Sequence, residues 1–228
     1  MKTVLITGAS GNLGKASVER FLADGYTVLA TVTPGKTLGF ETSGKVLTYE
    51  ADLTDEQAVE TVVAKAIATH GTLDAALLLV GGYAGGGLAE ADGKTVKKMI
   101  ALNFETAYNV ARPVFQHMQK QGGGRIVFVG ARTALKASDG KKSLAYALSK
   151  SLIFKLAELL NATGNASNVT ASVVVPSTID TPTNREAMPN ADFTAWVAPD
   201  AIADAIAHIC SAKTNDWRET VLKIYGRA

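Results

Sequence analysis

The sequence predicts one doubly wound α/β domain over residues 1–228, a parallel sheet covered on both faces by helices. Three observations carry this. Short β-branched or leucine-rich runs alternate with longer segments of helical period. No composition shift, linker or internal repeat divides the chain. At 228 residues with 47% hydrophobic side chains, it can bury a sizeable core without disulfide staples.

The elements follow in order. "KTVLIT" reads as a strand near 2–7, and a glycine-punctuated turn leads from it into a helix near 12–24. "YTVLATV" gives a second strand near 26–32 and "KVLTYE" a third near 45–50. A helix near 55–69 comes next, with Thr54 and Asp55 as rival caps. "LDAALLLV" is a fourth strand near 73–80. One long helix is expected near 94–120, and "GGG" at 122–124 ends it, as glycine after a helix commonly does. The fifth strand, "RIVFVG", lies near 124–130, and a helix near 142–162 precedes the sixth, near 168–175. A helix near 198–211 and a strand near 220–225, with Trp217 beside it, close the sheet. Ligand is expected at the carboxyl ends of the strands.

Composition excludes several classes. Charged residues make up 19%, with 23 basic against 21 acidic side chains, so neither disorder nor a nucleic-acid-binding face is indicated. A neutral small-molecule partner is expected. The single cysteine, Cys210, excludes an internal disulfide and a thiol cluster for metal, and its setting in "AIAHIC" reads as a buried, inert thiol. His70, His117 and His208 have no metal-like spacing, so no metal is expected. "ADGKTVKK" reads as a solvated helix start. No signal-peptide core and no apolar run of about 18 residues is present, so the expected location is the cytoplasm, with no membrane partner.

"TVLITGASGNLGKASVERFL" puts Gly8, Gly11 and Gly14 between a strand and an amphipathic helix. Glycines let backbone turn tightly and approach a pyrophosphate, while the helix N-terminus supplies N–H groups and a favourable dipole. Followed by a βαβ pattern, the turn predicts dinucleotide binding, with Ser10, Asn12 and Leu13 in the same loop. The acid that would meet the ribose 2′-OH of NAD at the end of the second strand is missing; Val32 and Thr33 stand there. Thr33 and Lys36 could donate to a 2′-phosphate, so NADP(H) is the favoured dinucleotide and NAD(H) the alternative. Asp52, with Leu53 in "EADLTDEQ", sits where a side chain can reach the adenine edge, or else is a helix cap in competition with Thr54 and Asp55.

"YALSK" sets Tyr146 and Lys150 four residues apart, on one helix face. A neighbouring ammonium favours the phenolate, so a depressed phenol suited to proton transfer is expected. Ser143 and Ser149 flank this tyrosine with no histidine nearby, which argues against a hydrolase.

In order along the chain, "TGASGNLG", "DL" at 52–53, Asn103 in "MIALNFETA", "YALSK" and "VVVPSTIDTP" resemble the short-chain dehydrogenase/reductase family. The resemblance implies a Rossmann-type sheet, a nicotinamide cofactor, and hydride transfer with Tyr146 as proton donor or acceptor. Lys150 would also hold the nicotinamide ribose, and Asn103 would support a relay water beside it. Pro176, Ile179 and Thr181 would line the nicotinamide. Within the family, "VGGYAGG" and residues 176–196 look like the dihydropteridine reductase branch. Gly81 and Gly82 would border the cofactor, Tyr83 could stack on a planar substrate, and Met188 to Trp196 would form a mobile cover.

Departures from the family pattern are visible. Asn12 replaces the usual glycine, and "VGGYAGG" replaces the usual Asn-Asn-Ala-Gly after the fourth strand. The serine that binds the substrate oxygen falls on Thr133 by counting back from Tyr146, and on Ala131 by aligning the strand end. The expected activity is reduction of a planar C=N or C=O group, with a dihydropterin as candidate. The rivals are a carbonyl reductase or alcohol dehydrogenase on an aliphatic substrate, and an NADP(H)-binding redox sensor. Family likeness also implies a homodimer, or a higher homo-oligomer, through the helices near 94–120 and 142–162.

Overall fold

The computed structural model describes residues 2–42 and 45–227. Seven strands form one parallel sheet: β1 (Thr3–Thr7), β2 (Thr27–Val32), β3 (Val46–Glu50), β4 (Ala75–Leu78), β5 (Gly124–Val129), β6 (Val169–Pro176) and β7 (Val221–Ile224). Their order is β3-β2-β1-β4-β5-β6-β7, so the connections reverse direction between β1 and β4. That reversal opens a crevice at the carboxyl ends of the strands. β1, β2, β4 and β6 are buried throughout, which explains their nearly continuous apolar and β-branched runs, whereas edge strands β3 and β7 keep exposed positions.

Helices cover both faces. On one side α2 (Glu56–His70), α4 (Thr106–Gln121) and α7 (Leu144–Gly164) pack Val63, Val114, Met118, Ile153 and Leu156 against the sheet. On the other, α1 (Asn12–Ala23) and α9 (Pro199–Ile209) contribute Val18, Phe21, Ile202 and Ile206. All seven expected strands are present. The cap of α2 is Asp55, whose carboxylate accepts from Gln57 and Ala58 N–H, so Thr54 does not serve. Gly122 ends α4 at φ +88°, a left-handed conformation that glycine adopts without penalty.

The long helix expected near 94–120 is not one regular element. α3 (Gly93–Ile100) passes into a π-helical turn, Ala101–Glu105, before α4 resumes. Three short helices, α5 (Arg132–Leu135), α6 (Ala137–Gly140) and α8 (Pro182–Ala187), were also unforeseen, because four to six residues hold too little periodicity to register.

Asn161 of α7 ties that helix to the sheet. Its Nδ2 donates to Ala171 C=O and its Oδ1 accepts from Ala171 N–H, each at 2.8 Å and buried. Asn161→Ala strips both partners from a buried peptide and is expected to destabilise the fold by about 2–4 kcal/mol. A urea titration checks this through a lowered midpoint at unchanged slope.

Candidate active site

The crevice is built around the carboxyl ends of β1, β4, β5 and β6. The turn after β1 is tight: Gly8 has φ +66°, and Gly11 N–H donates to Gly8 C=O at 3.0 Å. A Cβ on Gly14 would lie 2.1 Å from that same carbonyl oxygen, so α1 can approach the turn only without one. Gly11 occupies the N-cap of α1 and makes no side-chain bond, leaving the first N–H groups of the helix to a ligand. Ser10 and Asn12 are exposed on this turn and Leu13 is half-buried.

The chemistry-bearing cluster lies under the loop after β4. Lys150 is buried, and its Nζ donates to Val129 C=O at 2.8 Å. Asn103, in the π-helical turn, is buried too: its Oδ1 accepts from Gly82 N–H at 2.9 Å, and its Nδ2 donates to Gly82 C=O and to Ser149 Oγ, each at 3.0 Å. Ser149 in turn donates to the Tyr146 carbonyl at 2.8 Å. The extra residue of the π turn aims Asn103 sideways out of the α-helical ladder.

The glycine loop acquires a further reason here. A Cβ on Gly81 would sit 2.7 Å from Asn103 Oδ1 and 3.1 Å from Lys150 Nζ, and one on Gly82 would sit 2.5 Å from Leu102. The loop's far end docks backbone to backbone before α7: Gly86 N–H donates to Lys142 C=O and Leu144 N–H to Gly86 C=O, both at 2.9 Å. Side chains at these glycines would push the loop off Lys150 and Asn103.

That docking carries Tyr83 to Tyr146. The two rings meet edge to face with centroids 5.1 Å apart, and Tyr83 remains 67% exposed. Burial, followed by the neighbouring Tyr83, pushes the Tyr146 phenol up to about 12. Burial pulls the Lys150 ammonium down to about 8. The expected depression of the phenol by the lysine is therefore not found: desolvation and Tyr83 both raise it, and the ammonium is held by the Val129 carbonyl.

Other expected residues divide. Ala131 leads directly off β5 in extended conformation and is buried. Thr133 lies in α5 with its hydroxyl buried and unpartnered. Asp52 closes a local turn, accepting from Thr54 N–H at 2.9 Å and Thr54 Oγ1 at 2.7 Å, while Leu53 is buried in the core. Pro176 ends β6, and Ile179 pairs with Val197 in an isolated bridge. Thr181 caps α8 through Asn184 N–H.

The segment expected as a cover, Met188 to Trp196, is anchored. Arg185 forms a two-pronged pair with Asp180 and lies 4.8 Å from the Phe193 ring centre, and Arg227 N–H donates to Ala195 C=O at 3.1 Å. Sequence reasoning missed Glu50, whose carboxylate accepts Gly35 N–H in the turn that carries Thr33 and Lys36. Its register opposite Val32 at the end of β2 was the available signal. The end of β2 carries no acid, as read from the sequence, but a carboxylate from β3 stands at the turn that follows it.

A doubly wound sheet with a glycine turn after its first strand, and a cluster of half-buried Tyr146 with buried Lys150 and Asn103 in its crevice, defines a dinucleotide-dependent oxidoreductase. The family model described as short chain dehydrogenase matches residues 2–192, and the chain belongs to that family. It is 30% identical to an acetoacetyl-CoA reductase of Acinetobacter sp. over 190 residues, covering 79% of this chain and 75% of that one. It is 26% identical to a dihydropteridine reductase of Dictyostelium discoideum over 209 residues, covering 90% and 86%. A short-chain dehydrogenase/reductase structure from Burkholderia xenovorans superposes with a TM-score of 0.88 at 26% identity, covering 99% and 95%. The structure of ElxO with NADP bound gives 0.91 at 24% identity, covering 99% and 97%.

Burying the Lys150 ammonium opposes folding. Its folded pKa of about 8 lies below the usual 10.5, so the unfolded chain holds more protons between those values and stability rises with pH across that window. Lys150→Met removes the penalty. At pH 7 the variant is expected to be more stable by about 1–3 kcal/mol, after the lost bond to Val129, with the advantage fading as pH climbs from 8 to 10.5. Denaturant midpoints of both proteins at pH 7 and pH 10 check the sign.

Proposed function

We propose that this chain is an NAD(P)H-dependent reductase that transfers hydride to a planar C=N or C=O group, with a dihydropterin as its substrate class. The observation that carries the reading is the Tyr83–Tyr146 pair, which sets an exposed flat ring 5.1 Å from the proposed proton donor. Flat substrates gain from such an offset aromatic wall. The 26% identity with a dihydropteridine reductase supports the same class.

The turn at Gly8, Ser10, Gly11, Asn12, Leu13 and Gly14 fits a pyrophosphate, since the left-handed Gly8 and the uncapped start of α1 leave backbone donors free. Asp52 and Leu53 would border the adenine, and Gly81 and Gly82 the nicotinamide ribose. Pro176, Ile179 and Thr181 would line the nicotinamide. Thr33 and Lys36 favour NADP(H), with NAD(H) also accepted. When bound, the dinucleotide supplies the hydride.

Tyr146 keeps its proton ready for donation, because a phenol pushed up to about 12 stays protonated through the neutral range. Lys150, charged below about pH 8, stabilises the phenolate left behind and holds the ribose. Asn103 holds Gly82 and Ser149 in place, and its remaining Oδ1 lone pair is available to a relay water. With Ala131 rather than a serine at the end of β5, Tyr146 both binds and protonates the substrate; the enclosed Thr133 hydroxyl is the other candidate partner. Exposed Tyr108, Leu148, Leu152 and Leu159 on α4 and α7 support a homodimer through those helices. A second reading, a carbonyl reductase of aliphatic substrates, is favoured by the 30% identity with an acetoacetyl-CoA reductase.

Tyr146→Phe is expected to lower turnover by about 10²–10⁴-fold while NAD(P)H binding shifts less than about twofold. Steady-state rates and nucleotide fluorescence titration measure both. Assayed side by side, quinonoid dihydropterin should outperform a panel of simple ketones, and Tyr83→Ala should raise KM for the pterin about tenfold with little change for a small ketone. Ketones preferred by a hundredfold would instead support the second reading.

A further inference from the structure

The second strand ends without an acid, yet the fold supplies one from its neighbour. Val32 and Glu50 are partners across the parallel pair β2 and β3. Beyond Val32 the chain turns at once: Lys36 N–H donates to Thr33 C=O at 2.9 Å, Pro34 takes the second position, and Gly35 the third at φ +73°. These are the features of a type II turn. Glu50 Oε2 accepts the Gly35 N–H at 3.0 Å, which fixes a carboxylate against the turn that presents Thr33 and Lys36.

The surrounding charges do not outweigh it. Glu50 lines a cavity together with Lys36, Glu41 and Phe40; Lys15 of α1 lies with Nζ 5.6 Å from the centre of the Phe40 ring but is paired with Glu19 on its own helix. Among the cavity's lining residues two carboxylates, Glu41 and Glu50, therefore stand with one ammonium, Lys36, and a doubly charged phosphate finds no surplus of positive charge there.

We infer that Glu50 moderates the choice between dinucleotides: its carboxylate opposes the 2′-phosphate that Thr33 and Lys36 attract, and so keeps NAD(H) usable beside NADP(H). A carboxylate borne on the third strand thus performs the selection that an acid at the end of the second strand performs in NAD-binding sheets of this type. This rests on the proposed placement of the adenosine ribose at that turn. Because Glu50 is exposed, water and salt screen it, and the discrimination it contributes is about three- to tenfold.

The test titrates the full-length protein with NADPH and with NADH, following nucleotide fluorescence, for the wild type, Glu50→Gln and Glu50→Lys. Glutamine retains an acceptor for Gly35 N–H, so the turn is kept and only the charge is lost. NADPH should bind about three- to tenfold tighter to Glu50→Gln, with NADH moving less than twofold and the gain shrinking in 0.5 M salt. Glu50→Lys should extend the shift in the same direction. An NADPH-to-NADH affinity ratio unmoved in both variants overturns the inference, as does a parallel loss for both nucleotides, which would mark a purely structural role. Failure of the wild type to bind either nucleotide would instead defeat the underlying dinucleotide reading, and this inference with it.

Discussion

A buried ammonium organises this molecule. Lys150 lies inside the crevice with the Val129 carbonyl as its close partner, and no carboxylate pairs with it among the described residues. Removing a charge from water is costly, and the depressed pKa of about 8 expresses that cost. The neighbouring features accommodate it. Gly81 has no side chain because Asn103 and Lys150 occupy the space, the π turn brings Asn103 to Gly82, and Ser149 links Asn103 to the backbone of Tyr146. A residue retained at such expense in stability is accounted for by chemistry rather than packing.

The backbone architecture was legible because its signals are local. A parallel strand buried on both faces reads as a nearly continuous run of apolar and small or β-branched residues, so "TVLIT" and "VTASVVV" announce themselves, and Gly122 marks the end of α4. The π turn was not legible. No glycine or proline interrupts residues 94–112, so nothing in the sequence breaks the run into two helices. The short helices after β5 and β6 bury at most one residue each, too little to make a periodic stripe.

Within the site, Tyr146, Lys150 and the glycine turn could be picked out from spacing and Asn103 from the family resemblance, whereas their electrostatics could not. Spacing puts an ammonium near a phenol, but it does not report how much water each has lost. Here that loss dominates both groups and moves them in opposite directions, the phenol up and the ammonium down. Glu50 illustrates the same limit: its meeting with Gly35 joins residues fifteen apart through strand register. Tyr83 lay between these cases, since its loop was conspicuous while its contact with Tyr146 depended on the docking of Gly86 beside Lys142 and Leu144.

The central claim is that desolvation, rather than the nearby lysine, governs the Tyr146 phenol in the unliganded protein. Carbon-13 labelling of tyrosine at Cζ, with NMR titration of the wild type and assignment by the resonance missing from Tyr146→Phe, measures this directly. A midpoint near the expected 12 would bear the account out. A midpoint of about 9 or lower, below the ordinary tyrosine value, would mean that the ammonium prevails and would contradict it.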